Sequence, residues 1–114
     1  MASDETAIEK EIQDKGLNAP RLNPAHIDAQ IVSEDYYVFP GTTVTVCALV
    51  LKNGFVVIGE SAAASLENFD REIGRKISRE NARQKIWALE GYLLRTQIAE
   101  APAWLLDWAI KRTS

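Results

Sequence analysis

The sequence holds one cysteine and one histidine, and that scarcity removes several kinds of chemistry at once. Cys47 has no partner for an internal disulfide, and it sits in an apolar run where a thiol behaves as an inert small hydrophobe. His26 has neither a second histidine nor a cysteine cluster with which to build a zinc site of the usual ligand sets. No stretch approaches the roughly 18 consecutive apolar residues of a membrane span. A basic excess is missing too: 13 Lys and Arg stand against 16 Asp and Glu, a net charge of −3, which argues against a coat for genomic DNA. No glycine-rich phosphate loop is present. No serine, cysteine or histidine stands with a convincing base and orienting group. The expectation is therefore a binding protein and not an enzyme, with no cofactor and no metal. The N-terminal MASDETAIEKEIQ lacks the basic start and apolar centre of a secretory signal, so a cytoplasmic location is expected.

A chain of 114 residues suits a single domain over 1–114, with little margin for a large core. Its divisions read as an N-terminal helix and linker over 1–22, a β-sheet over 35–61, a long helix over 68–98 and a C-terminal helix over 102–112. Ile8 and Ile12 stand one turn apart before Gly16, a plausible helix stop. Asn23-Pro24 is a cap followed by proline at the first helical position, and that short helix is expected to run to about Ile31. Tyr36 to Phe39 reads as a short strand. The β-branched run TTVTVCALVL, then Lys52-Asn53-Gly54-Phe55, predicts a hairpin closed by a type I′ turn, since Asn and Gly both tolerate positive φ. Both faces of that first hairpin strand are apolar, so both are expected to be covered: one by the long helix, the other by the terminal helices or by another subunit.

In the long helix Asn68 is the expected N-cap. Leu66, Phe69, Ile73, Ile77, Trp87, Leu94 and Ile98 form one apolar stripe, and Ala82, Ile86, Leu89 and Leu93 lie nearly opposite. Two apolar faces mean either burial from both sides, most simply by a second copy in a homo-oligomer, or a break near Ser78 that resets the phase. In the last segment, Trp104, Leu105 and Trp108 are candidate anchors that need something to pack on. The elements add up to an α+β fold: a small sheet of two to three strands, then a long C-terminal helix or helix pair, with short N-terminal helices.

The most distinctive feature is a run of arginines. Arg71, Arg75, Arg79 and Arg83 recur every four residues, and seven basic residues fall between Arg71 and Arg95. Residues four apart stack on one side of a helix, and the guanidinium fork suits phosphate or carboxylate. Four residues slightly exceed one turn, so the stripe wraps around the helix. All four cannot reach one small ion, although two or three can converge with those of a neighbouring copy. Glu80 and Asn81 are candidates to bond a base or ribose, and Phe69 offers a ring for stacking. The expected ligand-binding set is Phe69, Arg71, Arg75, Arg79, Glu80, Asn81 and Arg83. The competing reading of the same stripe is a solvated face with acidic partners.

Across roughly 80 of the 114 residues, from Lys15 to Arg95, the order of motifs resembles the Gp-forty-nine-like small bacteriophage proteins. The pieces that carry the likeness are Lys52-Asn53-Gly54-Phe55, Gly59-Glu60-Ser61, Asn68-Phe69-Asp70, Ile73-Gly74, Glu80-Asn81-Ala82, Ile86-Trp87 and Glu90-Gly91-Tyr92. The chain is also similar to the Thoeris anti-defence sponges of the first type. That resemblance implies an oligomer, acting in the host cytoplasm, that sequesters a cyclic ADP-ribose signal without cleaving it. It carries no ligand residue onto this chain. The alternative is a host-takeover interaction module with no nucleotide ligand.

Overall fold

The computed structural model describes residues 2–17 and 20–102. Helices α1 (Ala2–Asp14) and α2 (Pro24–Ala29) precede strands β1 (Ile31–Val38), β2 (Val44–Leu51) and β3 (Val56–Ala62), and α3 (Arg71–Glu100) follows. The three strands form one antiparallel sheet in the order β1-β2-β3, so the expected α+β arrangement of small sheet, long helix and short N-terminal helices is the one seen. The expected C-terminal helix over 102–112 lies, but for Pro102, outside the described residues.

Local chemistry sets most of the boundaries. Asn23 caps α2 by accepting the His26 N–H at 2.8 Å, and Pro24 supplies the preset φ. The helix nevertheless stops at Ala29, and β1 starts at Ile31, much earlier than Tyr36. The Gln30 carbonyl receives the Lys52 N–H at 3.0 Å, which draws the chain into the sheet as soon as the helix ends. The β2–β3 hairpin forms where expected but with a different turn. Gly54 has φ +87°, whereas among the described residues none other than glycine has positive φ, so Asn53 does not adopt the type I′ geometry. Leu51 N–H bonds to the Phe55 carbonyl at 2.8 Å and Gly54 N–H to the Leu51 carbonyl at 2.9 Å, giving a three-residue loop with the left-handed residue last. Asn53 instead uses its side chain, accepting the Phe55 N–H at 3.0 Å.

Helix α3 runs unbroken for 30 residues, capped by Asp70, whose carboxylate accepts the Ile73 N–H at 2.9 Å; Asn68 sits instead in a short 3-10 turn, Leu66–Asn68. Ser78 does not break the helix. It is fully buried against the sheet and turns its hydroxyl back to the Arg75 carbonyl at 3.2 Å.

The inward face of α3 takes Ala82 and Ile86 from one anticipated stripe and leaves out Ile73 and Ile77 of the other. Gly74, Ser78, Ala82 and Ile86 are buried one turn apart, while Ile73 and Ile77 are 55% and 44% exposed. The reason is backbone proximity. Gly59 of β3 lies so close to α3 that a methyl there would overlap the Ala82 amide and the Ser78 carbonyl. Only small residues on the helix permit that approach, so the larger isoleucines are left on the flank.

The core lies between this helix face and one face of the sheet: Cys47, Leu49, Leu51 and Val57 against Ala82 and Ile86, with Ile27 of α2 at one end. On the other face, Val44, Val46, Ala48 and Val50 alternate with the buried set. That face meets no other described element, and its neighbours Tyr37 and Ile58 are 55% and 51% exposed. The expected second cover is thus not supplied by α1 or α2, which lie on the helix side.

Gly59→Ala is expected to cost about 3 kcal/mol, the upper end for an overpacked contact, because the obstacles are backbone atoms that cannot rotate away. Urea unfolding of the variant measures this; wild-type stability would show that helix and sheet do not meet so closely.

Candidate functional site

The arginine stripe is divided by its neighbours. Arg83 is 5% exposed and sits at the junction of three helices. It donates to both Glu5 oxygens at 2.6 and 2.8 Å and, through Nε, to Asp28 at 2.7 Å. Glu80 stands 3.8 Å away and also accepts from Gln84 at 2.7 Å. Arg79 donates from Nε to Glu34 of β1 at 2.6 Å. Their hydrogen bonds to Glu5 and Glu34 hold both guanidiniums more firmly protonated than usual, against the opposing pull of burial. These two arginines are occupied by carboxylates of their own chain, but those come from other elements, and Arg83 is buried and not on the solvated face of the competing reading.

Arg75 and Arg71 differ. Both are exposed, and neither makes an ion pair among the described residues. The Arg75 guanidinium lies 5.4 Å from the centre of the Tyr36 ring, within cation–π range. Burial, with the adjoining Cys47, pushes the Tyr36 hydroxyl up to about 12. The Cys47 thiol is fully buried and also pushed up by burial, so it is no nucleophile. Phe69 is half-buried, close to Gly74 at the start of α3. Asn81 is exposed and donates to the Glu60 carbonyl at 2.8 Å; nearby Lys85 donates to the Ile58 carbonyl. Those two side chains satisfy the outer edge of β3, where a further strand would otherwise pair.

The seven expected site residues therefore do not close around one cavity within a single copy. Phe69, Arg71 and Arg75 share the N-terminal end of α3, where aligned peptide dipoles favour an anion. Glu80, Asn81 and Arg83 belong to later turns and to intrachain networks. Among the described residues no group of three or more His, Cys, Asp and Glu could hold a metal.

Two recesses lie elsewhere. One of 560 Å³ is bounded by α2, the β2–β3 turn and the second half of α3, with Leu51, Phe55, Leu89, Leu93 and Leu94 as its apolar lining. The other, of 420 Å³, lies between α1 and α3 beside Trp87. Sequence reasoning missed the first because its walls come from three separate elements, and no local spacing signals that convergence.

Residues 22–98, about two thirds of the chain, match the family described as "Phage protein (N4 Gp49/phage Sf6 gene 66) family". No curated protein and no solved structure gives a significant match. The matched span takes in α2, the sheet and nearly all of α3, and leaves α1 outside.

Helix α1 is nonetheless tied to the matched part by charge. Arg83, within the matched span, grips Glu5, and Arg21, one residue before it, grips Glu9 through two contacts of 2.7 and 2.8 Å. Hydrogen bonds from those arginines, opposed by some desolvation, lower both carboxyls below their ordinary value of 4.5. A carboxyl with a lowered value stabilises the fold above its unfolded value, and the contribution is lost as pH falls through the folded one. Acidification from pH 6 to pH 3 should therefore release α1 before the sheet opens. Hydrogen exchange of α1 amides reads this, and equal protection at both pH values would refute it. Arg83→Met should cost about 3 kcal/mol, since it leaves the Glu5 carboxylate without its charged partner in a mostly buried position; a denaturant midpoint equal to wild type would contradict the assignment.

Proposed function

The chain belongs to the phage protein (N4 Gp49/phage Sf6 gene 66) family, and from that premise we propose that it is a non-enzymatic binding protein that sequesters a cyclic ADP-ribose-type immune signal in the host cytoplasm. The observation that carries the reading is the pair Arg71 and Arg75. They are the two arginines of the stripe without a carboxylate partner among the described residues, one turn apart at the start of a 30-residue helix, with Arg75 over the Tyr36 ring. A pyrophosphate carries the charge that two such forks and a helix N-terminus accept, and an adenine ring suits a stacking partner.

In this reading Arg71 and Arg75 hold the pyrophosphate, Phe69 stacks on the base, and Asn81 offers its free Oδ1 further along the helix. Arg79 and Arg83 keep that helix in place. One copy offers an open shelf, so a second copy of the chain completes the enclosure, and the uncovered sheet face gives it area on which to associate. The ligand leaves unchanged: the thiol is buried, and His26 on α2 faces Glu90 at 3.6 Å with no nucleophile beside it.

A second reading, a host-takeover module that grips a protein without any nucleotide, draws on the same bare sheet face with Tyr37, Val56 and Ile58 exposed. Calorimetry with cyclic ADP-ribose isomers separates the two. The sponge reading expects saturable binding, recovery of intact ligand after heating, and at least tenfold weaker affinity in Arg71→Ala/Arg75→Ala with the melting temperature unchanged. Tenfold corresponds to about 1.4 kcal/mol. Absence of binding, or cleaved ligand, would refute it; a stoichiometric host partner retained by the same double variant would favour the module.

A further inference from the structure

The two edges of the sheet are finished differently. On β3 the outward carbonyls of Glu60 and Ile58 accept from Asn81 and Lys85 of α3, so that edge is closed to a further strand. On β1 the phase is set at its end, where the Phe39 N–H bonds to the Val44 carbonyl of β2. Backbone groups alternate sides along an antiparallel strand, so Tyr37, Asp35 and Ser33 also turn theirs toward β2, while Glu34, Tyr36 and Val38 turn theirs outward. Among the described residues nothing bonds to those outward groups. The strand is 8 residues long and carries no proline, and its bulge lies at the start, between Ile31 and Ser33. Of its two carboxylates, Glu34 is neutralised by Arg79. An edge of this length with so little to blunt it is a template for pairing.

We propose that a second copy of the chain pairs along this edge, β1 antiparallel to β1 with Tyr36 on the two-fold axis, so that each copy contributes Arg75 to one shared cationic trough. The strand is self-complementary in that register. Centred on Tyr36, outward-facing residues meet outward-facing residues: Tyr36 bonds to the partner's Tyr36, and Glu34 and Val38 bond to the partner's Val38 and Glu34. Asp35 then stands beside the partner's Tyr37, and no like charges are directly opposite. Neighbouring registers are worse. Centring on Glu34 or on Asp35 sets a carboxylate against its own copy. Centring on Val38 sets Tyr36 against Pro40, which has no N–H to give.

Such a pairing builds a site as well as a seam. Helix α3 packs on β2 and β3, and it reaches over β1 with Arg79 to Glu34 and Arg75 to Tyr36. The helix side of β1 is therefore left open. Joined at β1, two copies enclose a trough there, floored by the paired strands and walled by an α3 on each side. The Arg75 guanidinium, 5.4 Å from the centre of the Tyr36 ring, is carried to the axis in both copies. Arg75 makes no ion pair among the described residues, so two uncompensated cations flank the axis. A pyrophosphate diester carries two negative charges, one for each guanidinium fork. The same pairing makes the uncovered sheet faces of the two copies continuous. The seam does not depend on nucleotide binding; the shared trough rests on the reading of Arg71 and Arg75 given above. An extended peptide from another protein is the competing occupant of the edge.

Sedimentation equilibrium of the full chain tests the seam. The wild type should form a dimer. Tyr37→Asp, at an exposed position, sets a carboxylate opposite the partner's Asp35 at two symmetric places and should weaken association about tenfold. Adding Asp35→Lys turns both clashes into opposite-charge pairs and should restore the dimer. Amide exchange in the wild type gives a check that needs no variant: the Glu34, Tyr36 and Val38 N–H groups should be protected in the dimer and lose that protection on dilution. A monomeric wild type would overturn the seam and leave the edge to a foreign strand. Association indifferent to Tyr37→Asp, or fast exchange at those three amides in the dimer, would place the interface elsewhere and overturn it equally. Calorimetry with cyclic ADP-ribose reads the trough. The Tyr37→Asp variant, held monomeric with its arginines intact, should bind about tenfold more weakly than the wild-type dimer. Equal affinity would overturn the shared trough and leave the sponge reading standing. No binding by the wild-type dimer would refute the trough together with the sponge reading, while the seam would still stand on sedimentation.

Discussion

Everything in this fold is positioned by one close contact, the backbone of α3 resting on Gly59 of the central hairpin. Helices usually lie about 10 Å from a sheet, spaced by side chains on both surfaces. Here a glycine on the strand faces Ser78 and Ala82 on the helix, and the two backbones approach until no methyl fits between them. A contact this tight fixes the rotation of α3 about its axis. Once Gly74, Ser78, Ala82 and Ile86 are committed to the sheet, every other residue on the helix has its direction assigned. Ile73 and Ile77 go to the flank, Arg83 turns under α1 and α2, and Arg79 reaches β1.

The electrostatic consequence is a division of labour among four chemically identical side chains. Arg83 enters a nearly dry junction, where its fork is matched by carboxylates from two other helices, so a site that reads as anion binding serves to join α1 and α2 to α3. Arg79 is half-exposed and bound to a strand carboxylate, which ties the edge of the sheet to the helix. Arg71 and Arg75, at the open end, make no ion pair among the described residues. Recognition of a mobile anion needs cations whose charge is not already neutralised, and of the four arginines in the stripe Arg71 and Arg75 are the two without a carboxylate partner among the described residues.

The sheet, by contrast, is one-sided. Its second face is built from valines, alanine and an isoleucine, residues that favour a pleated and covered surface, yet α1 and α2 are held by their ion pairs on the helix side. An apolar face of this kind in a small domain suits association with another surface. The proposed sponge and the host-takeover module both make use of that face, and they differ in what the free arginines are for.

Local chemistry alone settled a good deal of this protein. The Asn23-Pro24 start of α2, the β-branched run of β2, the hairpin at Asn53-Gly54 and helical periodicity over about 68–98 were legible, because caps, fixed φ values and hydrophobic periodicity act within a few residues, whereas the continuity of the helix through Ser78 was not. Motif order likewise announced the phage family. Tertiary structure alone decided which face of α3 is buried, since side-chain hydrophobicity pointed to Ile73 and Ile77 while backbone proximity selected the small residues instead. It alone decided the turn type, which Asn53 altered by bonding through its side chain, and the early start of β1. It also decided which arginines remain free. Glu5, Asp28 and Glu34 are 78, 55 and 45 residues from the arginines they engage, and no periodicity within a helix can report a partner that arrives from so far along the chain.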